Sequence, residues 1–337
     1  MGQAPVKTAM LMTAGLGTRL QPFTHRRTKA LLPILGIPSA QYAIDSLRLA
    51  GVTKVVANVH HLPEDTARGL SHLDTAEVEL VTKDESQVLL GTAGGIRNAL
   101  GDLGSGPFFR ANADVICDLD WSALYQTHLR LRNSDGVVLT LAVFPSGPIN
   151  AHYPEILIDE KRGLITGIGK PKVSSPFWTG AAVIEPDALL GVPHSGPSEF
   201  VPEILLPAIR GQKAGLFLSE GIWSDIGAPE LWLATHFELM RLFEMAESQN
   251  SRLKIWQERF SKINYSLGRN QWAHISNRPS LTRGAFKVEG PCYLGDGAHA
   301  PLANSQIGPH AVVYGQISEQ VEKLENGIAF GGYWVKK

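Results

Sequence analysis

The run Ala14-Gly15-Leu16-Gly17-Thr18-Arg19-Leu20 follows a short apolar stretch, Ala9-Met10-Leu11-Met12, that suits a buried strand. Two glycines in such a turn let backbone N–H groups approach an anion with no Cβ in the way. The loop also carries its own cations, Arg19 and, further on, Lys29. Two common phosphate patterns are excluded. A P-loop needs G-x-x-x-x-G-K-[ST], which does not occur. A dinucleotide fingerprint needs G-x-G-x-x-G, but Leu20 holds the place of the third glycine, and no acidic residue stands about 20 positions on. The chemistry indicated is anion binding of another kind. An ordinary strand-to-helix turn is the plain alternative, and Arg19, Thr24 and Lys29 behind the glycines weigh against it.

Gly15-Leu16-Gly17-Thr18-Arg19-Leu20-Gln21-Pro22-Phe23-Thr24, followed by Lys29-Ala30-Leu31-Leu32-Pro33, resembles the opening of the sugar-phosphate nucleotidyltransferases. These pyrophosphorylases make nucleotide sugars. The resemblance implies that Ala14, Gly15, Gly17 and Thr18 wrap a nucleoside triphosphate and that Arg19 and Lys29 hold its phosphates. The family usually has Pro before that lysine. Thr28 stands there instead, which is expected to loosen the turn presenting Lys29 while leaving its charge in place.

Phosphoryl transfer between anions needs charge neutralisation more than acid–base chemistry, because a sugar 1-phosphate oxygen is already negative. Such a site calls for Mg²⁺ and for carboxylates at strand ends to hold it. Asn112-Ala113-Asp114-Val115-Ile116-Cys117-Asp118 resembles the family's metal-binding Asn-x-Asp, in the version of the mannose-1-phosphate guanylyltransferases. Gly221-Ile222-Trp223-Ser224-Asp225-Ile226-Gly227 resembles its late Trp-x-Asp-x-Gly. The resemblance implies that Asp114 and Asp225 are the Mg²⁺ ligands, although singly each reads as a turn residue. Asp118 and Asp120 read as turn or N-cap residues before Trp121. Lys170-Pro171 resembles the family's Glu-Lys-Pro, which implies that Lys170 holds the sugar phosphate, with Lys172 as the alternative. Gly169 replaces the glutamate that usually helps bind the sugar.

Glu85 to Ile96 reads ESQVLLGTAGGI, a Gly-rich segment opening a helix, where backbone groups can meet a base or ribose. It resembles the family's base-recognition stretch, and Leu90-Gly91-Thr92-Ala93-Gly94 is the form common among GTP-using members. Glu85 as an acceptor for the N1–H and amino group of guanine, with Gly91 and Thr92 beside it, points to GTP. An exposed loop acid is the other reading of Glu85. Gly180 and Glu199 lie where the family contacts sugar hydroxyls. His60-His61 reads as an ordinary loop, because no third ligand accompanies it, and Trp178 and Trp223 read as packing residues.

The elements that must position these residues alternate. Strand-like runs at 9–12, 54–59, 77–81, 108–111 and 136–144 are separated by helical patterns, of which Ser39 to Gly51 and Trp121 to Arg132 are the clearest. This βαβ alternation predicts an α/β fold with a Rossmann-like, mainly parallel sheet flanked by helices. Short strands follow at 155–158, 164–168 and 180–184, then helices at 201–210 and from Pro229 onward. The predicted organisation is a catalytic domain over 1–240, a helical connector over 241–284 and a hexapeptide-type tail over 285–337. In that tail Val288 and Leu294 are six apart, as are Ile307 and Val313, the spacing of a short left-handed β-helix. The two pairs fall out of phase by one residue, which leaves a miscellaneous β tail as the alternative.

Composition bounds the partners. The 337 residues carry 31 Lys+Arg against 32 Asp+Glu, a net charge of −1 that offers no field for nucleic acid or an anionic membrane. The two cysteines, Cys117 and Cys292, are too few and too far apart for a disulfide framework. No apolar run reaches the ~18 residues of a membrane span, and no signal-peptide pattern opens the chain, so a cytoplasmic location is expected.

The resemblance covers about residues 8–240. It implies Mg²⁺-dependent transfer of a nucleoside monophosphate from GTP to mannose 1-phosphate or a heptose 1-phosphate, with release of pyrophosphate. The rival within the class is a UTP- or dTTP-using enzyme acting on N-acetylmuramate 1-phosphate or glucose 1-phosphate. A non-catalytic paralogue that binds nucleotide sugars is a further reading, supported by Thr28 and Gly169. The β-helix region is too short for a β-helix acyltransferase. Homo-oligomer formation through the tail is an expectation of the same resemblance.

Overall fold

The computed structural model describes residues 5–145, 153–244, 251–269, 271–275, 287–288, 290–296, 298, 306–315, 323–330 and 332–336. The apolar runs of the first half become the centre of a nine-stranded sheet. Its strand order is Glu79–Asp84, Lys54–Val59, Thr8–Met12, Phe108–Asn112, Phe177–Ile184, Leu139–Phe144, Ala214–Leu218, Leu164–Ile168, Ile156–Asp159. Only Phe177–Ile184 and Leu164–Ile168 run against the others, so the sheet is mainly parallel in strand direction.

Helices cover both faces of this sheet. Phe108 joins the core under helix Gly91–Leu103 together with Met10, Val56 and Ile96. The next residue, Phe109, points the other way and packs its ring on Trp121 and Tyr125 of helix Trp121–Asp135. Asp120 caps that second helix as its position predicts, accepting the Ala123 N–H at 2.9 Å. Within the same layer His128 is fully buried between Thr140 and Glu185, at 3.0 Å from each. The expected helix over 201–210 is a π-helical turn, Val201–Leu205, running into a short α-helix, Leu206–Arg210.

The chain divides into two compact units: Met1–Gly15 with Ala43–Trp223, and Leu16–Tyr42 with Ser224–Lys337. They cut across the boundary expected near residue 240. The loop that follows the first strand groups with C-terminal residues because specific contacts tie it there. The Trp232 indole N–H donates to the Pro33 carbonyl at 2.9 Å, and its ring meets Phe23 edge-on. The Asn264 amide donates to the Leu35 carbonyl, and Tyr42 packs on Trp256.

The stretch 241–284 is not helical throughout. Helix Ser251–Ile263 is followed at once by strands Asn264–Gly268 and Gln271–His274, so the C-terminal sheet starts before 285. Strands Gln271–His274, Cys292–Leu294, Ala311–Val313 and Gly327–Phe330 stack in parallel, with an antiparallel strand at each end. A second parallel ladder joins Lys287–Val288, Gln306–Ile307 and Lys323–Leu324. Val288 and Leu294, six apart, therefore lie on different ladders, as do Ile307 and Val313. Val288 pairs with Ile307, and Leu294 with Val313. The apolar interior is closed by Cys292, Leu294, Ala311, Val313 and Ala329. Among the described residues no helix is long and apolar enough to cross a membrane.

A buried polar chain runs through this second unit. The Gly36 N–H donates to the Tyr314 hydroxyl at 3.2 Å, and that hydroxyl donates to His236 Nε2 at 2.7 Å. His236 Nδ1–H in turn donates to the Trp232 carbonyl at 2.9 Å. The link from the Tyr314 hydroxyl requires an unprotonated Nε2. Burial pushes the His236 pKa from 6.5 down to about 4, with the Trp232 carbonyl offsetting part of the effect. The unfolded ring therefore takes a proton that the folded ring refuses. The stabilisation is complete above pH 6.5 and is lost as pH falls toward 4, a contribution on the order of 3 kcal/mol. Melting temperature followed over that window should fall more steeply in the wild type than in His236→Gln. Identical slopes would contradict this assignment.

Candidate active site

The strand Thr8–Met12 delivers the chain into the glycine loop. Gly17 takes a left-handed conformation, φ 63°, as it enters the 3₁₀ turn Thr18–Leu20. A Cβ there would lie 2.7 Å from the Thr24 methyl, and the Thr24 hydroxyl donates to the Gly17 carbonyl at 2.9 Å. Thr24 thus folds the loop back on itself. Thr28 has φ −59°, inside the range that proline fixes, and the following 3₁₀ turn Lys29–Leu31 is intact. The expected loosening of the turn at Lys29 does not occur. What the missing proline leaves behind is a buried Thr28 hydroxyl with no hydrogen-bond partner among the described residues.

Lys29 Nζ meets Asp225 Oδ1 at 3.3 Å, both side chains being largely buried, at 13% and 8% exposed. Asp225 ends the strand Trp223–Asp225. Gly227 follows, and the space a side chain would take there is already filled. A Cβ on it would lie 2.7 Å from an Arg19 guanidinium nitrogen and 2.8 and 3.0 Å from the two Asp225 oxygens. Arg19 and Asp225 therefore pack against the bare Cα of Gly227, and Lys29 pairs with Asp225 beside them. Ala14 and Gly15 close the first strand, and a Cβ on Gly15 would meet nothing within 4 Å.

The approach to Asp225 is braced by Asp118, which is buried and accepts the Ile222 N–H at 2.7 Å. Asp118 is structural, as its position in the turn indicated. Asp114 follows the strand Phe108–Asn112. Near it lies a residue that the sequence reading passed over. Arg110 is fully buried, with its guanidinium 4.6 Å from the Trp178 ring centre and 5.7 Å from that of Phe200. It donates to the Gly180 carbonyl, while its Nε has no partner. Burial lowers its pKa to about 10, opposed by the charge of Asp114. An arginine inside an otherwise apolar strand was the available signal. Gly180 has φ 91° at a register shift of its strand, and a Cβ there would collide with the Asn112 amide at 2.4 Å.

Three further positions, assigned to two different pockets by sequence, meet directly. The Thr92 hydroxyl donates to Glu199 Oε2 at 2.7 Å, and the Phe200 N–H donates to that hydroxyl at 2.7 Å. The Ser198 carbonyl accepts the N–H groups of Ala93 and Gly94, which caps the helix start. Gly91 has φ 72°, and a Cβ on it would stand 2.6 Å from both Ser198 O and Glu199 Oε1. Glycine is required there by conformation and by space.

Glu85 is not displayed. It is 3% exposed and wedged beside Gly95 and Asn58. Burial raises its pKa, and the nearby Asn58 amide and Leu90 backbone offset only part of this. His60 Nδ1 lies 2.7 Å from the Glu85 carbonyl and holds the turn rather than a metal. Lys170 is exposed after the strand Leu164–Ile168. The space where Gly169 lacks a side chain is filled by Glu155: a Cβ on Gly169 would lie 2.8 Å from Glu155 Oε2. The backbone carbonyl of Glu155 accepts the Gly169 N–H at 2.8 Å, and its carboxylate is 4.0 Å from Lys172 Nζ. A carboxylate thus stands beside Gly169 and Lys172, supplied from just before the neighbouring strand Ile156–Asp159.

Among the described residues no group of three or more His, Cys, Asp or Glu side chains converges on one point. The carboxylates of Asp114 and Asp225 are hard oxygen donors of the kind Mg²⁺ prefers. A Mg²⁺ that keeps waters and substrate phosphates needs only one or two such ligands. The donor chemistry fits that ion.

The sequence profile of the nucleotidyl transferase family matches residues 8–240. The chain is 30% identical over 248 residues to an N-acetylmuramate α-1-phosphate uridylyltransferase of Caulobacter vibrioides, covering 71% of this chain and 99% of that protein. It is also 30% identical over 230 residues to the mannose-1-phosphate guanylyltransferase catalytic subunit β of Drosophila pseudoobscura pseudoobscura, covering 67% of this chain and 60% of that protein. HddC from Yersinia pseudotuberculosis, solved with GMP-PN, shares the fold with a TM-score of 0.58 at 18% identity, covering 69% of this chain and 99% of that one. Gly91→Ala tests the lock between residues 90–94 and 198–200. Backbone strain alone should cost about 1–3 kcal/mol, read as a lowered midpoint in urea unfolding, and an unchanged midpoint would refute the lock.

Proposed function

The chain belongs to the nucleotidyl transferase family, and from that we propose how this sugar-1-phosphate nucleotidyltransferase places its reaction. The observation that carries the proposal is the gathering of Arg19, Lys29 and Asp225 at Gly227, where only a glycine leaves room for the Arg19 guanidinium and the Asp225 carboxylate. The glycine loop 14–18 wraps the triphosphate, with Arg19 and Lys29 on its phosphates. Lys170 holds the sugar phosphate. One of its oxygens attacks the α-phosphorus in line, and pyrophosphate departs. No general base is required, because the attacking oxygen is already anionic. Asp114 and Asp225 would hold Mg²⁺, which supplies neutralisation of phosphate charge when bound. In this reading the Lys29–Asp225 pair keeps both groups placed until substrate arrives.

Glu199, fixed by Thr92, and Gly180, fixed by Arg110, face the sugar. Glu155 takes the part left open by Gly169, so the sugar still meets a carboxylate beside Gly169. The two C-terminal ladders are read as rungs of a short β-helix outside the reaction.

For the nucleobase, the burial of Glu85 favours UTP. A pyrimidine with one ring N–H makes no demand on that carboxylate, whereas guanine would need it exposed. The sugar partner that goes with this reading is N-acetylmuramate 1-phosphate, as named for the Caulobacter relative. GTP with mannose 1-phosphate or a heptose 1-phosphate is the second reading, supported by Leu90-Gly91-Thr92-Ala93-Gly94 and the guanylyltransferase relative.

Pyrophosphate release should be measured with Mg²⁺ for GTP, UTP, dTTP, ATP and CTP against a panel of sugar 1-phosphates. Turnover with UTP supports the pyrimidine reading, and turnover with GTP alone overturns it while keeping the chemistry. Asp114→Asn and Asp225→Asn should each lower turnover by about a hundredfold or more, and each should also lower the melting temperature, because each leaves a buried cation, Arg110 or Lys29, without its counter-charge. Near-normal rates in either variant would remove that aspartate from the metal assignment.

A further inference from the structure

A cavity of about 410 Å³ lies in the second unit, between the loop Arg26–Pro38 and the C-terminal strands. Arg26, Arg27, His274, Asp296, Tyr314 and Phe330 line it, and none of these belongs to the site described above. The lining carries two arginines against a single acid. Asp296 is mostly exposed and stands 3.9 Å from His274. Neither arginine pairs with a carboxylate among the described residues. Each instead lies over an aromatic ring, Arg26 at 5.7 Å from the centre of Tyr333 and Arg27 at 6.0 Å from that of Phe330.

Stacking restrains a guanidinium and leaves its N–H edge unspent. Two such edges at one cavity form a fork for a phosphate, which arginine binds bidentately. The floor is rigid, because the Tyr314 hydroxyl is already held by the Gly36 N–H and by His236. The volume falls at the low end of small-molecule sites, roughly 300–1,000 Å³, which suits a phosphorylated monosaccharide better than a nucleotide sugar.

We propose that this cavity is a second ligand site, which binds the phosphate monoester of a small sugar through Arg26 and Arg27. The two arginines sit between the 3₁₀ turns Phe23–His25 and Lys29–Leu31, so a bound ligand would grip the same loop that presents Lys29.

The test is calorimetric titration of the full chain with glucose 6-phosphate, inorganic phosphate and glucose. Wild type and Lys29→Met, which is damaged in the candidate active site, should both bind glucose 6-phosphate. The double variant Arg26→Gln/Arg27→Gln should lose affinity by at least about tenfold, and Arg26→Lys/Arg27→Lys should recover only part of it, keeping the charge without the fork. Both arginines are exposed, and circular dichroism checks that the variants are folded. Several results would overturn the proposal: undiminished binding to the glutamine variant, loss in Lys29→Met alone, equal binding of glucose, or no binding of either phosphate probe at millimolar concentration. Because the readout is binding, it stands apart from whether the chain turns over sugar 1-phosphates.

Discussion

The ion pair between Lys29 and Asp225 is the interaction on which the functional half of the molecule turns. Its partners are 196 residues apart in sequence and largely withdrawn from water. A charge so placed is costly without its counterion, and removing one partner leaves the other stranded. The glycine loop and the segment leading to Asp225 must therefore be held against each other with little tolerance. The surrounding devices serve that end. Thr24 folds the loop back onto Gly17, and Trp232 ties the Pro33 carbonyl to the helix that follows Asp225. Gly227 keeps a side chain out of the space that Arg19 and Asp225 border. Two cations and one carboxylate are thereby gathered at one glycine.

The same economy appears around the sheet, where polar groups are joined rather than left to solvent. Thr92 and Glu199 share a hydroxyl contact, and the Ser198 carbonyl completes the start of the helix behind them. The main departure is Arg110, a buried cation that donates to the Gly180 carbonyl and whose charge is answered by Asp114. Its stacking on Trp178 and Phe200 recovers part of the desolvation cost. The result is a stiff wall beside Asp114, with a glycine at its bend where a side chain would strike Asn112.

In the second unit the polar chain from Gly36 through Tyr314 and His236 to Trp232 plays a comparable part. It links the loop after the first strand to the helix Pro229–Glu244 and to the C-terminal strands, through an imidazole that burial keeps neutral. The grouping of Leu16–Tyr42 with C-terminal residues follows from these contacts. A sequence boundary near 240 marks where the family resemblance ends, which is a different matter from where packing is densest.

Local order in the chain determined much of this protein. The strand before Gly15, the capping of Trp121–Asp135 by Asp120, the parallel sheet of the first half and the residue types for phosphate chemistry all follow from short-range pattern, because propensity, turn geometry and charge are local properties. The six-residue spacing in the tail is likewise local, whereas the pairing of Val288 with Ile307 and of Leu294 with Val313 on separate ladders is read from the packed structure. Tertiary structure decided what depends on who stands next to whom. It hid Glu85, which sequence could only place in a loop, and it made a buried cation of Arg110. It joined Thr92 to Glu199 across 107 positions and set Glu155 in the space beside Gly169. It also showed that Thr28 adopts the conformation of the proline it replaces. Burial and through-space neighbours are properties of the packed whole, and no window of sequence contains them.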